Sequence, residues 1–184
     1  MSRNIREEIL IAAGDLVQQK GVKATTLKDI AEKVGISKGT LYYHFASKDD
    51  IVFEIADQYL SRFTNNLEEW IGPIGSDTSV EEVLQVVIEN IAGFEARGKL
   101  HLYLISEAIM GNEGLRQRFK LKYEEWLILV EDTLKRVVQV TPAELRVLSH
   151  LVVAMIDGFS MQKLVGVEAI PMEDAARKIV CQKM

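Results

Sequence analysis

The stretch that decides the fold is residues 26–50, which read TLKDIAEKVGISKGTLYYHFASKDD. Thr26 and Asp29 have the spacing of a helix capping box, in which each side chain bonds the backbone amide of the other residue. Gly35 tolerates the left-handed backbone that ends many helices, and Ser37 is a good cap for a second helix. The stretch therefore predicts two short helices joined by a tight turn, which is a helix-turn-helix arrangement.

The second short helix is predicted to have a buried face and an exposed polar face. Leu41 and Phe45 lie four residues apart, so they share the face that anchors the helix. Opposite them, the helix presents a hydroxyl, a phenol and an imidazole, which can hydrogen-bond phosphates or base edges. These groups belong to Thr40, Tyr43 and His44.

Basic residues and a third helix flank this exposed face. Lys38 and Lys48 are placed as point charges for phosphates, and Ser47 with Asp50 repeats the capping pattern. The N-terminus of the third helix favours a phosphate nearby. We expect DNA contacts from nine residues: Thr26, Ser37, Lys38, Gly39, Thr40, Tyr42, Tyr43, His44 and Lys48. The alternative for the ring-bearing side chains among them is an aromatic patch that packs against a neighbouring helix.

The helix-turn-helix belongs to a longer stretch of characteristic residues, which covers residues 9–55. The positions that carry it are Ile9, Ala12, Leu16, Gly21, Thr25, Thr26, Ile30, Ala31, Val34, Gly35, the run from Ser37 to Phe45, and Lys48. In these positions the chain resembles the DNA-binding domain of the TetR (tetracycline-repressor-like) family of bacterial regulators. The resemblance implies an all-α homodimer with a recognition helix in each major groove. It also implies a three-helix DNA-binding domain over residues 1–47 and a helical effector-binding and dimerisation domain over residues 48–184.

Residues 35–39 also match the Gly-x-Ser-x-Gly pattern of a nucleophile elbow. That motif requires a buried strand before the serine, whereas residues 27–34 have helical periodicity. We therefore interpret Ser37 as a helix cap. Because no zinc-protease, phosphate-loop or dinucleotide motif is present, we expect no enzyme activity, no metal site and no cofactor.

Length and composition fit a small helical protein. The chain has 184 residues, of which 48% are hydrophobic, enough for one compact unit or two small ones. The single cysteine, Cys181, excludes an intrachain disulfide, and no neighbouring residue marks it as a redox sensor. The charged N-terminus is not typical of a secretory signal, and no apolar run approaches the roughly 20 residues of a membrane span. We expect a cytoplasmic protein without a membrane partner.

The net charge of −5 is unevenly distributed. Residues 1–48 contain eight Lys and Arg residues and five Asp and Glu residues, which gives them a net charge of +3. The rest of the chain contains 14 basic and 22 acidic residues, which gives −8. Because the basic end holds the helix-turn-helix, the acidic remainder would repel DNA except through that end.

The helix that begins near Lys48 is predicted to be long and to end near Trp70. Turn and capping signals predict five more helices after it. They are expected over residues 79–98, 99–110, 115–140 and 145–165, and from Pro171 onward. Gly98 is expected to break the chain between the first two of these. Thr141, Pro142 and Glu144 together give a strong helix start before Leu145.

The helix over residues 145–165 is apolar on two sides. One stripe consists of Leu145, Leu148, Val152, Met155 and Phe159, and the other of Val147, Leu151, Ala154, Gly158 and Met161. We expect the first stripe to face the core. The second contains two small residues that allow close helix packing, and we expect it to contact a second copy of the chain. The alternative is that both stripes lie in the core of a monomer.

The resemblance places an effector site among the helices of the second domain. Our candidates are Phe94, His101, Ile105, Tyr123, Trp126, Met155 and Phe159. Large side chains at helical spacing are more often core than ligand contacts, so packing is the alternative for each of them. The expected effector is a small apolar or amphipathic molecule.

The sequence thus indicates a ligand-responsive transcriptional regulator that binds a pseudo-palindromic double-stranded DNA operator as a homodimer. Repression is the default that the resemblance implies, although an activator would use the same motif. The long helix that begins near Lys48 connects the two domains. We expect it to transmit the effect of effector binding to the DNA-binding domain. The competing class is a non-enzymatic helical protein-interaction adaptor without sequence-specific DNA binding, which would leave the helix-turn-helix unexplained.

Overall fold

The computed structural model describes residues 4–78, 82–83, 95–167 and 174. The helices named within that part of the chain are α1 (Ile5–Ala24), α2 (Leu27–Val34), α3 (Lys38–His44), α4 (Lys48–Ile71), α5 (Glu95–Ile109), α6 (Glu113–Val137) and α7 (Pro142–Leu164). These described residues contain no strand, and the predicted all-α fold is confirmed. None of their helices is long and apolar enough to cross a bilayer.

The chain divides into two units. The first unit comprises Met1–Arg62 with Lys99–Lys120, and the second comprises Phe63–Gly98 with Leu121–Met184. Three helices, α4, α5 and α6, therefore contribute residues to both units. The first unit contains the segment predicted to bind DNA, and the predicted boundary between residues 47 and 48 stays a prediction.

The first unit is built around α1, α2, α3 and the start of α4. Its core consists of Ile9, Leu10, Ala13, Ile30, Ala31, Leu41, Phe45, Ile51 and Ile55. The Arg6 guanidinium pairs with the Glu54 carboxylate and lies 4.9 Å from the centroid of the Phe45 ring, which ties α1 to α4. These contacts position α3 with one face in the core.

The second unit has its own apolar cluster, formed where α6 packs against α7. It consists of Val130, Leu134, Leu145 and Val152. The α7 start is capped as predicted, because Thr141 Oγ1 accepts from the Glu144 amide at 3.3 Å and Glu144 Oε2 accepts from the Thr141 amide at 2.7 Å. Pro142 occupies the first turn, where no amide proton is needed.

The predicted helix break at Gly98 is wrong, because α5 begins at Glu95 and continues through that residue. A single glycine within a helix costs only about 1 kcal/mol relative to alanine, and Gly98 is buried, so packing compensates for it. Of the helix predicted over residues 79–98, the structure describes only residues 82–83 and 95–98, and of the helix predicted from Pro171 it describes only residue 174. Cys181 lies outside the described residues.

The bounds of α6 also differ from the predicted 115–140. Asn112 Oδ1 accepts from the Leu115 amide at 3.0 Å, so Asn112 caps the helix and Glu113 and Gly114 form its first turn. At the other end α6 stops at Val137, three residues short of Val140. The extended backbone of the Thr141 cap, with φ −68° and ψ 157°, requires the chain to leave helical geometry before α7.

Candidate nucleic-acid interface

The turn between α2 and α3 has the predicted caps. Thr26 Oγ1 accepts from the Asp29 amide at 3.2 Å, and Asp29 Oδ2 accepts from the Thr26 amide at 2.9 Å. Gly35 ends α2 with φ 74° and ψ 39°, a left-handed conformation that glycine adopts without strain. Ser37 Oγ accepts from the Thr40 amide at 3.0 Å, so this serine caps α3. A helix precedes Ser37, and the strand that a nucleophile elbow requires is absent from this place.

Helix α3 presents the predicted buried and exposed faces. Leu41 and Phe45 are buried in the core of the first unit. On the other side, the Tyr43 side chain is 86% exposed, and Tyr42 is exposed as well. The rings of Tyr43 and His44 meet edge to face with centroids 5.2 Å apart. A large phenol that is held on an anchored helix and projects into solvent is available to contact another molecule.

Several lysines near α3 have partners within the first unit. Lys20 Nζ donates to Asp29 Oδ2 at 2.7 Å, and Lys33 Nζ donates to Asp15 Oδ2 at 2.9 Å, so both lysines tie α1 to α2. The hydrogen bond from Lys20, supported by those from Thr26, holds the pKa of Asp29 well below its usual range. Lys38 is exposed and forms no ion pair with the part of the chain that the structure describes.

Lys48 has a structural role that the sequence did not reveal. Its Nζ donates to the carbonyl oxygen of Val22 at 2.6 Å and lies 3.4 Å from that of Lys23. The ammonium group therefore closes the last turn of α1, where carbonyl groups lack helical partners. An ammonium group has three protons, so this bond leaves donors for a phosphate, and the predicted DNA contact of Lys48 stays a prediction.

The start of α4 has the predicted cap, with added negative charge. The Ser47 amide donates to Asp50 Oδ2 at 2.8 Å, and Ser47 Oγ accepts from the Asp50 amide at 3.1 Å. Asp49 and Asp50 both lie in the first turn of the helix. Their carboxylates stabilise this helix end, and they oppose the phosphate that we predicted there.

The seven candidate effector residues do not all lie in one unit. His101 and Ile105 belong to the first unit, Tyr123, Trp126, Met155 and Phe159 belong to the second, and Phe94 lies outside the described residues. His101 is buried between the rings of Tyr59 and Phe119, with centroid distances of 5.6 and 5.4 Å. Burial lowers the pKa of His101 to about 4, so its imidazole is neutral at pH 7.

A polar contact between α6 and α7 was missed by our sequence reasoning. The Tyr123 hydroxyl donates to Asp157 Oδ2 at 2.8 Å. Partial burial raises the pKa of the Asp157 carboxyl, while the hydrogen bond from Tyr123 acts in the opposite direction. The available signal was the position of Asp157, a lone acid between Met155 and Phe159 in an otherwise apolar helix segment.

Helix α7 presents its two apolar stripes to different surroundings. Leu145 and Val152 of the first stripe are buried. In the second stripe, Val147, Leu151 and Met161 are 58%, 46% and 53% exposed. Among the described residues the second stripe is therefore outside the core, contrary to the alternative in which both stripes form the core of a monomer.

Comparisons with known proteins agree with this geometry. Residues 9–55 match the family model described as bacterial regulatory proteins of the tetR family. The transcriptional repressor KstR2 of Mycolicibacterium smegmatis is 31% identical over 100 residues, which cover 54% of this chain and 46% of that protein. The matched stretch thus spans about half the length of this curated relative.

Two solved structures share the fold over nearly the whole chain. A protein from Mesorhizobium loti assigned to the TetR family superposes with a TM-score of 0.76 at 21% identity, covering 98% of this chain and 96% of the other. A protein from Saccharomonospora viridis assigned as a transcriptional regulator, solved in complex with choline, gives 0.76 at 21% identity and covers 95% and 92%. Residues 9–55 therefore match the tetR family of bacterial regulatory proteins, and the chain shares its fold with these two solved structures.

Proposed function

We propose that the protein is a ligand-responsive transcriptional repressor without enzymatic activity, which binds a double-stranded DNA operator through α3. The observation that carries this proposal is the face of α3 opposite Leu41 and Phe45. There, Tyr43 is 86% exposed beside Gly39 and Thr40, on a helix whose other face is fixed in the core. Hydroxyl and phenol groups on such a helix reach phosphates and base edges in a major groove.

Repressor function is supported by the activity of a similar protein. KstR2 of Mycolicibacterium smegmatis, which is similar to this chain over 100 residues, is a transcriptional repressor. A repressor of this kind blocks transcription while it occupies its operator and must leave that site when its signal arrives. The small-molecule signal is proposed to bind the second unit, and the choline bound to the Saccharomonospora viridis protein shows that this fold accommodates ligands.

Dimerisation is proposed to occur through the second stripe of α7. Val147, Leu151 and Met161 expose apolar area that water solvates poorly, and Ala154 lies on the same side. A space for a side chain is open at Gly158, since a Cβ placed there meets nothing within 4 Å. A second copy packed against this stripe would bury the exposed area. The two α3 helices of such a dimer would have to lie about 34–36 Å apart to enter successive major grooves.

The coupling between ligand and DNA is proposed to pass through α4. This helix begins at Lys48, next to α3, and its later residues belong to the second unit. A ligand that binds one arrangement of the dimer more tightly shifts the population toward that arrangement. A shift from mostly bound to mostly released requires a preference of about 5 kcal/mol.

The test is binding of the purified protein to labelled DNA fragments that flank its own gene, measured over a series of salt concentrations. We expect retention of one fragment well above random DNA, with an affinity that falls steeply as salt rises. Equal retention of all sequences would contradict an operator-specific repressor. Absence of any DNA binding, including in a selection from genomic fragments, would favour the protein-interaction adaptor.

A further inference from the structure

Four aromatic rings of the second unit form one connected cluster. They belong to Phe63 and Trp70 of α4 and to Tyr123 and Trp126 of α6. The Phe63 and Trp126 centroids are 4.5 Å apart at an interplanar angle of 58°, and those of Tyr123 and Trp126 are 5.1 Å apart at 66°. Rings inclined to one another in this way present both faces and edges, and several such rings can surround one ammonium group.

The Trp126 indole at the centre of this cluster is fixed in place. Its Nε1 donates to Thr64 Oγ1 at 2.9 Å, and both groups are buried. The hydrogen bond satisfies the one donor of the indole and prevents the ring from rotating. The Trp126 ring is therefore ordered before any ligand binds, and its orientation beside Tyr123 costs a ligand nothing.

A carboxylate lies at the hydroxyl end of one of these rings. Asp157 Oδ2 accepts from the hydroxyl of Tyr123, the residue whose ring contacts Trp126. Within the described part of the chain, no Lys, Arg or His lies within ion-pair distance of Asp157. Partial burial of a carboxylate is unfavourable, and a positively charged partner offsets that cost.

We propose that Asp157, Tyr123 and Trp126 recognise an ammonium group on the effector of this protein. The carboxylate supplies the opposite charge, and the faces of the tyrosine and tryptophan rings supply cation–π attraction. The inference rests on the proposed function, since it names the chemical class of the ligand that would release the DNA. It also adds Asp157 to the ligand-binding residues that the sequence indicated.

A purely structural role for Asp157 makes a different prediction. In that case its function is to join α7 to α6 through Tyr123, and its charge does not matter. Asp157→Asn separates the two roles, because the amide oxygen still accepts the tyrosine hydroxyl while the negative charge is lost. Asp77→Asn is a matched control, since Asp77 is an exposed acid of the same unit.

The experiment measures binding of benzyltrimethylammonium and of its neutral carbon isostere, neopentylbenzene, by tryptophan fluorescence in the absence of DNA. We expect the wild-type protein and Asp77→Asn to bind the cation at least about tenfold more tightly than the isostere. Asp157→Asn should lose most of that preference and keep its affinity for the isostere. Tyr123→Leu, which removes the ring, should weaken the cation as well. Circular dichroism confirms that each variant is folded.

Two outcomes overturn the inference. One is equal binding of cation and isostere by the wild-type protein, and the other is an unchanged preference in Asp157→Asn. Binding to operator DNA is measured separately, so a protein that binds DNA and ignores the cation contradicts only this inference. A protein that binds the cation through Asp157 and binds no DNA supports the ammonium site and contradicts the proposed repressor.

Discussion

Lys48 Nζ donates a 2.6 Å hydrogen bond to the carbonyl oxygen of Val22, so the first residue of α4 closes the last turn of α1. The two residues are 26 positions apart in the chain. The bond fixes the start of α4 relative to the helix on which the helix-turn-helix packs. Lys48 is therefore both a candidate phosphate contact and a structural link within the first unit.

Lys48→Met is expected to reduce both stability and the salt dependence of DNA binding. The methionine keeps an apolar side chain of similar length but cannot donate to Val22, so we expect a loss of about 1–2 kcal/mol in the free energy of unfolding. If Lys48 also contacts a phosphate, the slope of log affinity against log salt concentration becomes shallower by about one unit. An unchanged urea midpoint would show that the bond contributes nothing to stability, and an unchanged slope would exclude the phosphate contact.

Acid should destabilise the protein through His101. The unfolded imidazole has a pKa of 6.5, and burial lowers the folded value to about 4, so between these pH values only the unfolded state takes up the proton. Stability is therefore full above about pH 6.5 and falls as the pH drops toward 4, by about 2–4 kcal/mol in total.

The measurement is urea unfolding of the wild-type protein and of His101→Leu at pH 7, 5.5 and 4.5. Leucine does not titrate, so the variant lacks the loss of stability that His101 causes in acid. As the pH falls, the free energy of unfolding of the wild-type protein should therefore decrease relative to that of His101→Leu. A difference that stays constant over this range would contradict a buried neutral imidazole.

Gly114→Ala should destabilise the protein, contrary to the usual effect of alanine in a helix. A Cβ at this position would lie 2.8 Å from Phe53 Cε1, and the Phe53 ring is held under the Arg118 guanidinium at 4.4 Å from its centroid. We expect a loss of about 1–3 kcal/mol from this overpacking.

Phe53→Ala supplies the control for this prediction, because it removes the obstructing ring. In that background, Gly114→Ala should be neutral or stabilising by up to about 1 kcal/mol, the ordinary preference of a helix for alanine. A destabilisation of equal size in both backgrounds would show that Phe53 is not its cause.

Gly158→Leu is expected to prevent dimerisation without disturbing the fold. A Cβ at this position meets no atom of the chain itself within 4 Å, so we expect the isolated subunit to accept leucine, whereas a partner that approaches closely would be blocked. Gly14→Leu in α1 is the matched control, since its Cβ also meets nothing within 4 Å. Sedimentation should show monomers for Gly158→Leu and dimers for the control. Dimers in both would place the interface elsewhere.

Local signals in the sequence predicted those features that depend on nearby residues. The caps at Thr26, Ser37 and Thr141 involve partners three residues away, and spacing alone identified them. The buried face of α3 also followed from spacing, because Leu41 and Phe45 share one side of a helix. Such features are determined by the backbone geometry that all α-helices share.

Features that depend on tertiary contacts were not predictable in the same way. The bond from Lys48 to Val22 and the bond from Tyr123 to Asp157 join residues that are 26 and 34 positions apart. The continuation of α5 through Gly98 also depends on the packing around that residue, which outweighs its low helix propensity. Each of these three features depends on how neighbouring helices are arranged in space. A local sequence pattern does not specify that arrangement.

The role of α3 in DNA binding is tested by the affinity of Tyr43→Ala for the operator fragment that the wild-type protein retains. Ile109→Ala is the control, because it removes another large exposed side chain of the first unit away from α3. We expect Tyr43→Ala to lower operator affinity by about tenfold or more at unchanged thermal stability, and we expect Ile109→Ala to change neither quantity. Wild-type operator affinity in Tyr43→Ala would contradict the assignment of this face of α3 to DNA.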